Sequence, residues 1–189
     1  REAADKEVAR NGRRETGHMW GTNPCSEIIL RPYQFCNLSE VVVRESDTLD
    51  SLKRKVRLAT ILGTMQSTLT DFKYLRKVWK DNTEDERLLG VSLTGIMDHS
   101  VLSKSVDSPR WLEEMRQVAV DTNKEYAEKL GIPQSAAITC VKPSGTVSQL
   151  VDAASGIHAR HNDYYIRTVR ADNKDPLTQF LKEQGVYSE

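Results

Sequence analysis

The chain has 189 residues, of which 27 are Lys or Arg and 27 are Asp or Glu, so its formal net charge is zero. This balance carries no electrostatic signature of a nucleic-acid-binding or membrane-surface protein, and it favours a protein that acts on small molecules. The apolar runs are too short to cross a bilayer, and the charged N-terminal residues lack the apolar centre of a secretory signal. Three cysteines, an odd number, argue against a disulfide framework and predict a cytoplasmic protein.

Apolar periodicity divides the chain into alternating helices and strands. In the first half it predicts a polar helix within 1–19, loop and strand over 21–43, an amphipathic helix over 50–80 broken near Asp71, a helical turn over 83–89 and a strand over 90–97. The apolar face of the long helix is predicted to comprise Leu52, Val56, Ala59, Leu62, Met65, Leu69 and Phe72.

In the second half, Ser108-Pro109 predicts a helix start and Gly131 its end. There follow a predicted buried strand over 136–141, a short helix over 147–153, a strand over 164–170 and a helix over 176–183. This alternation predicts an α/β fold with parallel strand pairing.

The densest chemistry lies in the sequence Gly21-Thr-Asn-Pro-Cys-Ser-Glu-Ile28. In an extended chain, side chains two residues apart point the same way, so Asn23, Cys25 and Glu27 are expected on one face. A carboxylate beside a thiol raises the pKa of the thiol, which disfavours a thiolate nucleophile. It suits a sulfur that reacts as a neutral radical while the carboxylate acts as a base. Taken alone, the residues also fit a small buried cysteine and a surface glutamate.

The motif resembles the finger loop of the ribonucleotide reductases. The resemblance implies that Cys25 becomes a thiyl radical that abstracts the ribose 3′ hydrogen, that Glu27 takes the 3′-hydroxyl proton, and that Asn23 hydrogen-bonds the sugar hydroxyls. It also implies that Cys36 is half of the dithiol that reduces the substrate, although alone it also fits an inert core cysteine. The spacing of eleven residues between the two cysteines, followed by Asn37-Leu38, resembles the adenosylcobalamin-dependent class (class II).

A second motif, Lys142-Pro-Ser-Gly-Thr-Val-Ser148, follows a predicted strand and enters a predicted helix. Backbone N–H groups at a helix start, with hydroxyl donors nearby, favour a phosphate, although an ordinary helix cap has the same composition. Lys142 precedes the glycine, so the motif is not a Walker A loop. The stretch resembles the substrate-phosphate loop of the triphosphate-using cobalamin reductases, which implies that the phosphates are bound by Ser144, Gly145, Thr146, Val147 and Ser148.

The resemblance covers roughly residues 20–170, since 87–96 and 154–167 also resemble the family. It implies that residues 1–189 form a single domain, the C-terminal portion of a ten-stranded α/β barrel with a central finger loop. The implied reaction reduces ribonucleotides, triphosphates being favoured, to 2′-deoxyribonucleotides. Adenosylcobalamin is the implied radical source, and thioredoxin or a similar dithiol is the implied reductant.

Two alternatives remain open from the sequence. A di-iron or anaerobic ribonucleoside-diphosphate reductase would change the radical source but not the role of Cys25. A non-catalytic nucleotide-binding domain would keep only the loop at Ser144. No metal site is expected, because His158 and His161 lack a Cys-x-x-Cys partner, and Cys140 on a predicted buried strand fits core packing.

Overall fold

The computed structural model describes residues 2–10 and 13–188. Its elements are α1 (Glu2–Ala9), β1 (Gly21–Thr22), β2 (Ile29–Leu30), β3 (Asn37–Val42), α2 (Leu49–Gln66), α3 (Lys77–Glu86), β4 (Leu89–Thr94), α4 (Ser100–Lys104), α5 (Ser108–Leu130), α6 (Gly145–Leu150) and α7 (Pro176–Glu183). A 3₁₀ turn, Ile96–Asp98, follows β4. The predicted α/β class is confirmed. No helix among the described residues is long and apolar enough to span a membrane.

The strands form two small sheets. β1 and β2 pair antiparallel as a hairpin. β3 and β4 pair in parallel, in a register that runs from Asn37 opposite Leu89 to Val42 opposite Thr94. On the other side of β4, Val91 makes a parallel bridge to Thr139. The described residues close no barrel, so the ten-stranded barrel stays a prediction.

The core lies between the parallel strands and helices α2 and α5. Two parallel strands need a crossover connection, and its helices cover one face of the sheet. The buried apolar cluster is built from strand and helix residues together: Val41, Val43, Leu52, Val56, Leu89, Val91, Leu102, Met115, Ala119 and Ile138. This packing fixes β3 and β4, the strands that flank the candidate site.

The buried face of α2 differs from the predicted one in its second half. Helix α2 buries Leu52, Val56, Thr60, Gly63 and Thr64. The predicted apolar residues Leu62, Met65 and Leu69 are exposed instead, so the prediction was wrong for them. A Cβ atom on Gly63 would lie 3.5 Å from the side chain of Leu89, which shows how closely α2 approaches the sheet. Small residues fit this narrow gap and large apolar ones do not.

Helices α5 and α7 span the predicted residues, and Gly131 closes α5 in the left-handed conformation with φ 64°. The polar N-terminal helix is limited to Glu2–Ala9, and the long helix divides into α2 and α3. The predicted helix over 147–153 starts and ends earlier, as Gly145–Leu150.

Two predicted strands are not formed as expected. Residues 164–170 have no regular structure and are exposed, and none of the strands in the described part of the chain pairs with them. Residues 136–141 contribute a single bridge at Thr139. Alternation of side chains predicted the strand over 164–170, and 136–141 was predicted as a short buried strand. Pairing, however, depends on a partner elsewhere in the chain.

Asn123 connects the helix layer to the chain that follows it. Its Nδ2 donates to Thr64 Oγ1 and to Ser135 Oγ, each at 3.0 Å, and its Oδ1 accepts from the Ser135 backbone N–H at 2.9 Å. We expect Asn123→Ala to lower the free energy of unfolding by about 2 kcal/mol, because buried polar groups lose their partners. Urea unfolding measures the loss. Gln117→Ala on the exposed side of α5 is the control, and an equal loss in both variants would contradict the prediction.

Candidate active site

Residues 23–28 form the closed loop between β1 and β2. The Asn23 N–H donates to the Ile28 carbonyl at 3.3 Å, and the Ile28 N–H donates to Asn23 Oδ1 at 3.1 Å. The Ser26 N–H donates to the Asn23 carbonyl at 2.9 Å, and Ser26 adopts a left-handed φ of 61°. The expectation that Asn23, Cys25 and Glu27 share one face of an extended chain was therefore wrong. Loop closure by the Asn23 amide replaces the extended conformation.

The loop directs its two reactive side chains differently. Cys25 is exposed at the turn. Glu27 is half-buried, and its Oε2 atom is buried and accepts no hydrogen bond from the described residues. Buried carboxylate oxygens are nearly always hydrogen-bonded, so this unpartnered one leaves an unused hydrogen-bond acceptor beside the loop. The loop thus carries an exposed thiol and, within two residues, a carboxylate oxygen without a partner among the described residues.

Cys36 lies immediately before β3 and packs against the second apolar cluster, which comprises Ile28, Leu88 and Ala136. Burial raises the pKa of the Cys36 thiol to about 11; the negative charge of Glu27 adds to the increase and Lys142 opposes it. Cys36 is therefore a neutral thiol at physiological pH. The negative charge of Glu27 acts on this thiol, as expected if the two residues belong to one site.

Cys140, assigned to core packing from the sequence, is half-buried in the same cluster. Burial raises the pKa of its thiol to about 12, with Lys142 acting in the opposite direction and Glu27 and Cys36 adding to the increase. The negative charge of Glu27 therefore acts on both half-buried thiols. The sequence did not predict this electrostatic relation for Cys140.

The predicted phosphate loop leads into α6. Ser144, the residue before the helix, is left-handed with φ 53° and its side chain does not cap the helix. Its hydroxyl donates to the carboxylate of Glu40, and the Ser148 hydroxyl donates to the Gly145 carbonyl at 3.2 Å. Two of the three predicted hydroxyl donors are therefore engaged within the chain. The exposed helix start, Gly145 and Thr146, offers backbone N–H groups.

Glu40 on β3 anchors this loop, and the sequence motifs did not identify it. Its Oε2 atom lies 3.2 Å from Lys142 Nζ, with both side chains 10% exposed. Lys142 Nζ also donates to the Ser39 carbonyl at 3.2 Å. The Lys142 ammonium consequently faces β3. Strand β3 also contains the polar residues Asn37 and Ser39, so its composition did not mark Glu40.

The histidine pair at which no metal site was expected, His158 and His161, is exposed. Among the described residues, no group of three or more His, Cys, Asp or Glu side chains is arranged to hold a metal ion.

The three cysteines differ in accessibility and ionisation, so alkylation should distinguish them. At pH 8 we expect iodoacetamide to label Cys25 at least a hundredfold faster than Cys36, whose pKa of about 11 leaves roughly a thousandth of it as thiolate. The rate of Cys36 labelling should increase as the pH rises toward 11. Glu27→Gln should speed labelling of Cys36 by removing a negative charge, while Glu128→Gln on α5 should not. Mass mapping gives the rates, and equal rates at Cys25 and Cys36 in the folded chain would contradict the prediction.

Comparison with known proteins relates this site to one class of enzyme. No protein-family model matches the chain. The adenosylcobalamin-dependent ribonucleoside-triphosphate reductase of Lactobacillus acidophilus is 32% identical, over 89% of this chain and 26% of the relative. The enzyme of the same name from Lacticaseibacillus paracasei is 32% identical, over 98% of this chain and 27% of the relative.

A crystal structure of B12-dependent (class II) ribonucleotide reductase superimposes on the fold with a TM-score of 0.60 at 24% identity, covering 78% of this chain and 23% of that one. The chain spans about a quarter of the length of the curated relatives it matches. The resemblance found in the two sequence motifs is confirmed. Over most of its length, the chain belongs to the ribonucleotide reductase family, in its adenosylcobalamin-dependent class.

Proposed function

We propose that this chain supplies the radical cysteine, the base and one reducing thiol of an adenosylcobalamin-dependent ribonucleoside-triphosphate reductase. The observation that supports this proposal most directly is the loop over 23–28. It contains the exposed Cys25 and, two residues later, Glu27 with its unpartnered buried oxygen. The relatives, matched over most of this chain, carry that activity in their names. The substrate is a ribonucleoside triphosphate, the product its 2′-deoxy form, and the reductant is thioredoxin or a similar dithiol.

The proposed roles follow from the state of each side chain. Cys25, as a thiyl radical, takes the 3′ hydrogen atom of the ribose and returns it at the end of the cycle. Glu27 accepts the 3′-hydroxyl proton. Cys36, protonated because its pKa is about 11, gives a proton to the departing 2′-hydroxyl, which leaves as water. With a second thiol from the remainder of the enzyme, Cys36 ends as a disulfide, so one dithiol is oxidised for each ribonucleotide reduced.

The residues present fit the radical source named for the relatives. Adenosylcobalamin, when bound, supplies the one-electron oxidant that removes the hydrogen atom of the Cys25 thiol. Cys25 is exposed at the turn of its loop, so the described residues leave its sulfur accessible. The Asn23 side chain closes that loop through Ile28, which holds the thiol on a defined turn.

The finer architecture is part of the proposal. We assign β3 and β4 as neighbouring strands of a ten-stranded α/β barrel and residues 23–28 as its central finger loop. The parallel pairing of these strands and the superposition on a class II reductase support the assignment. On this assignment, Ser144 to Ser148 receive the triphosphate of the substrate, chiefly through backbone N–H groups at the start of α6.

Phosphate binding at α6 can be tested on the chain itself. We expect addition of a ribonucleoside triphosphate to shift the backbone amide resonances of Gly145 to Ser148, because the N–H groups at the start of α6 would donate to the phosphates. The Ser148 N–H already donates to the Ser144 carbonyl at 3.0 Å, so its resonance should shift through its neighbours and not through a direct bond. Inorganic triphosphate should shift the same amides, whereas amides of α7 serve as the control. Saturable nucleotide binding that leaves Gly145 to Ser148 unmoved would refute the assignment.

The roles proposed for Cys25 and Cys36 predict different defects in a completed enzyme, in which this chain is joined to segments equivalent to the rest of its relatives. Cys25→Ser should abolish turnover and release of free base, because an O–H bond is too strong for the radical source to oxidise. Cys36→Ser should still allow 3′ hydrogen abstraction, so the substrate radical decays to free base instead of deoxynucleotide. Glu27→Gln should slow turnover while the radical site remains.

Cys140→Ser is the matched control and should form deoxynucleotide at a rate near that of the unsubstituted enzyme. Chromatography of base and deoxynucleotide distinguishes the variants. Base release by Cys25→Ser, or normal deoxynucleotide formation by Cys36→Ser, would reverse the assigned roles. Nucleotide binding without any reduction in the unsubstituted enzyme would favour a non-catalytic domain.

A further inference from the structure

A buried carboxylate, Glu86, ends α3 close to the hairpin that carries Cys25. Arg14 binds it through two hydrogen bonds, from Nε to Oε1 at 3.0 Å and from Nη2 to Oε2 at 2.9 Å. Both side chains are only 6% exposed. A two-point guanidinium–carboxylate contact fixes orientation as well as distance.

The same guanidinium contacts both sides of the hairpin. Arg14 Nη1 donates to the carbonyl of Ile29, the first residue of β2, at 3.0 Å. Its guanidinium carbon lies 5.0 Å from the ring centre of Trp20, the residue immediately before β1. Arg14 therefore links Glu86 to the residues that flank the loop on either side.

Glu86 also holds the chain that leaves the hairpin. Gln34, buried at 4% exposure, donates through Nε2 to Glu86 and, at 3.2 Å, to the Asn82 carbonyl. Its Oε1 accepts from the Arg31 backbone N–H at 3.0 Å. The Arg31 guanidinium lies 3.6 Å from Glu86. One carboxylate thus organises three side chains around the hairpin.

The hairpin needs such external support. Its two strands have two residues each, and an isolated two-stranded hairpin is marginal in water. The backbone bond that closes its loop, from the Asn23 N–H to the Ile28 carbonyl, is long at 3.3 Å. Its orientation relative to Cys36 must consequently come from contacts with the rest of the chain.

We infer that Glu86 and Arg14 are positioning residues that hold the hairpin of residues 21–30, and with it Cys25 and Glu27, in place for reaction. The catalytic part of this inference rests on the proposed function. The structural part does not, because it concerns the order of the hairpin alone. Loss of an ion pair that only stabilises the fold would raise amide exchange throughout the chain. Loss of a positioning pair would raise it in the hairpin first.

Hydrogen exchange on the chain separates these two effects. Arg14→Lys keeps the charge but loses the planar group that reaches Glu86 and Ile29 together. We expect amide exchange over residues 21–30 to rise at least tenfold, with α2 and α5 unchanged. Arg13→Lys is the matched control, because Arg13 donates instead to the Ser135 carbonyl, at 2.8 Å. Glu86→Gln should raise amide exchange over the same residues. If the Glu86→Gln variant does not fold, the result for Arg14→Lys tests the inference by itself.

Unchanged exchange over 21–30 in Arg14→Lys, or an equal rise in α5, would overturn the inference. In the completed enzyme, Arg14→Lys should lower kcat at least tenfold and leave KM for the ribonucleotide within twofold, because bound substrate meets a misplaced thiol. A rise in KM at unchanged kcat would overturn the catalytic part. Absence of reduction in the unsubstituted enzyme would refute the proposed function, while hydrogen exchange would still decide the positioning role.

Discussion

The parallel pairing of β3 with β4 is the interaction on which the rest of the structure depends. It fixes the start of β3, directly after Cys36, and it places Glu40 further along the same strand, near Lys142. The bridge from Val91 to Thr139 then brings the chain that precedes the predicted phosphate loop to the other side of β4. Residues more than a hundred positions apart in sequence therefore meet because three segments of chain run in parallel.

Two buried carboxylates connect this framework to the loops. Glu86 holds the hairpin of Cys25 through Arg14, and Glu40 holds the predicted phosphate loop through Lys142 and Ser144. Each carboxylate is largely removed from water and paired with a cation, so removal of the carboxylate would leave a buried cation without its closest charged partner. The loops that carry the proposed chemistry are consequently set by charge pairs with the framework, in addition to their own short-range hydrogen bonds.

The sequence predicted the elements with strong local signals. Helix α5 has Pro109 in its first turn and Gly131 at its end, and its predicted span matches the structure. Periodicity failed on α2, where the close approach of the sheet at Gly63 favours small residues over Leu62 and Met65. It failed again over residues 164–170, because alternation cannot reveal whether a pairing strand exists. Local pattern thus specified helices well and tertiary contacts poorly.

In the candidate site, too, local features were predicted from the sequence and tertiary contacts were not. The motif around Cys25 and the loop at Ser144 were recognisable because their residue types are contiguous in sequence. The extended conformation expected of the loop was wrong, since the Asn23 side chain bonds to the Ile28 N–H and closes a turn. Glu40 and Glu86 could not be predicted, because their partners lie 102 and 72 residues away.

The central claim is that Cys25 carries the radical, and washout of tritium from the 5′ carbon of labelled adenosylcobalamin tests it most directly. Hydrogen transfer between that carbon and the Cys25 sulfur, whose thiol hydrogen exchanges with water, carries the label into solvent. In the completed enzyme, washout should disappear in Cys25→Ser and persist in Cys36→Ser and Cys140→Ser. Washout that continues in Cys25→Ser at the rate of the unsubstituted enzyme would contradict the assignment.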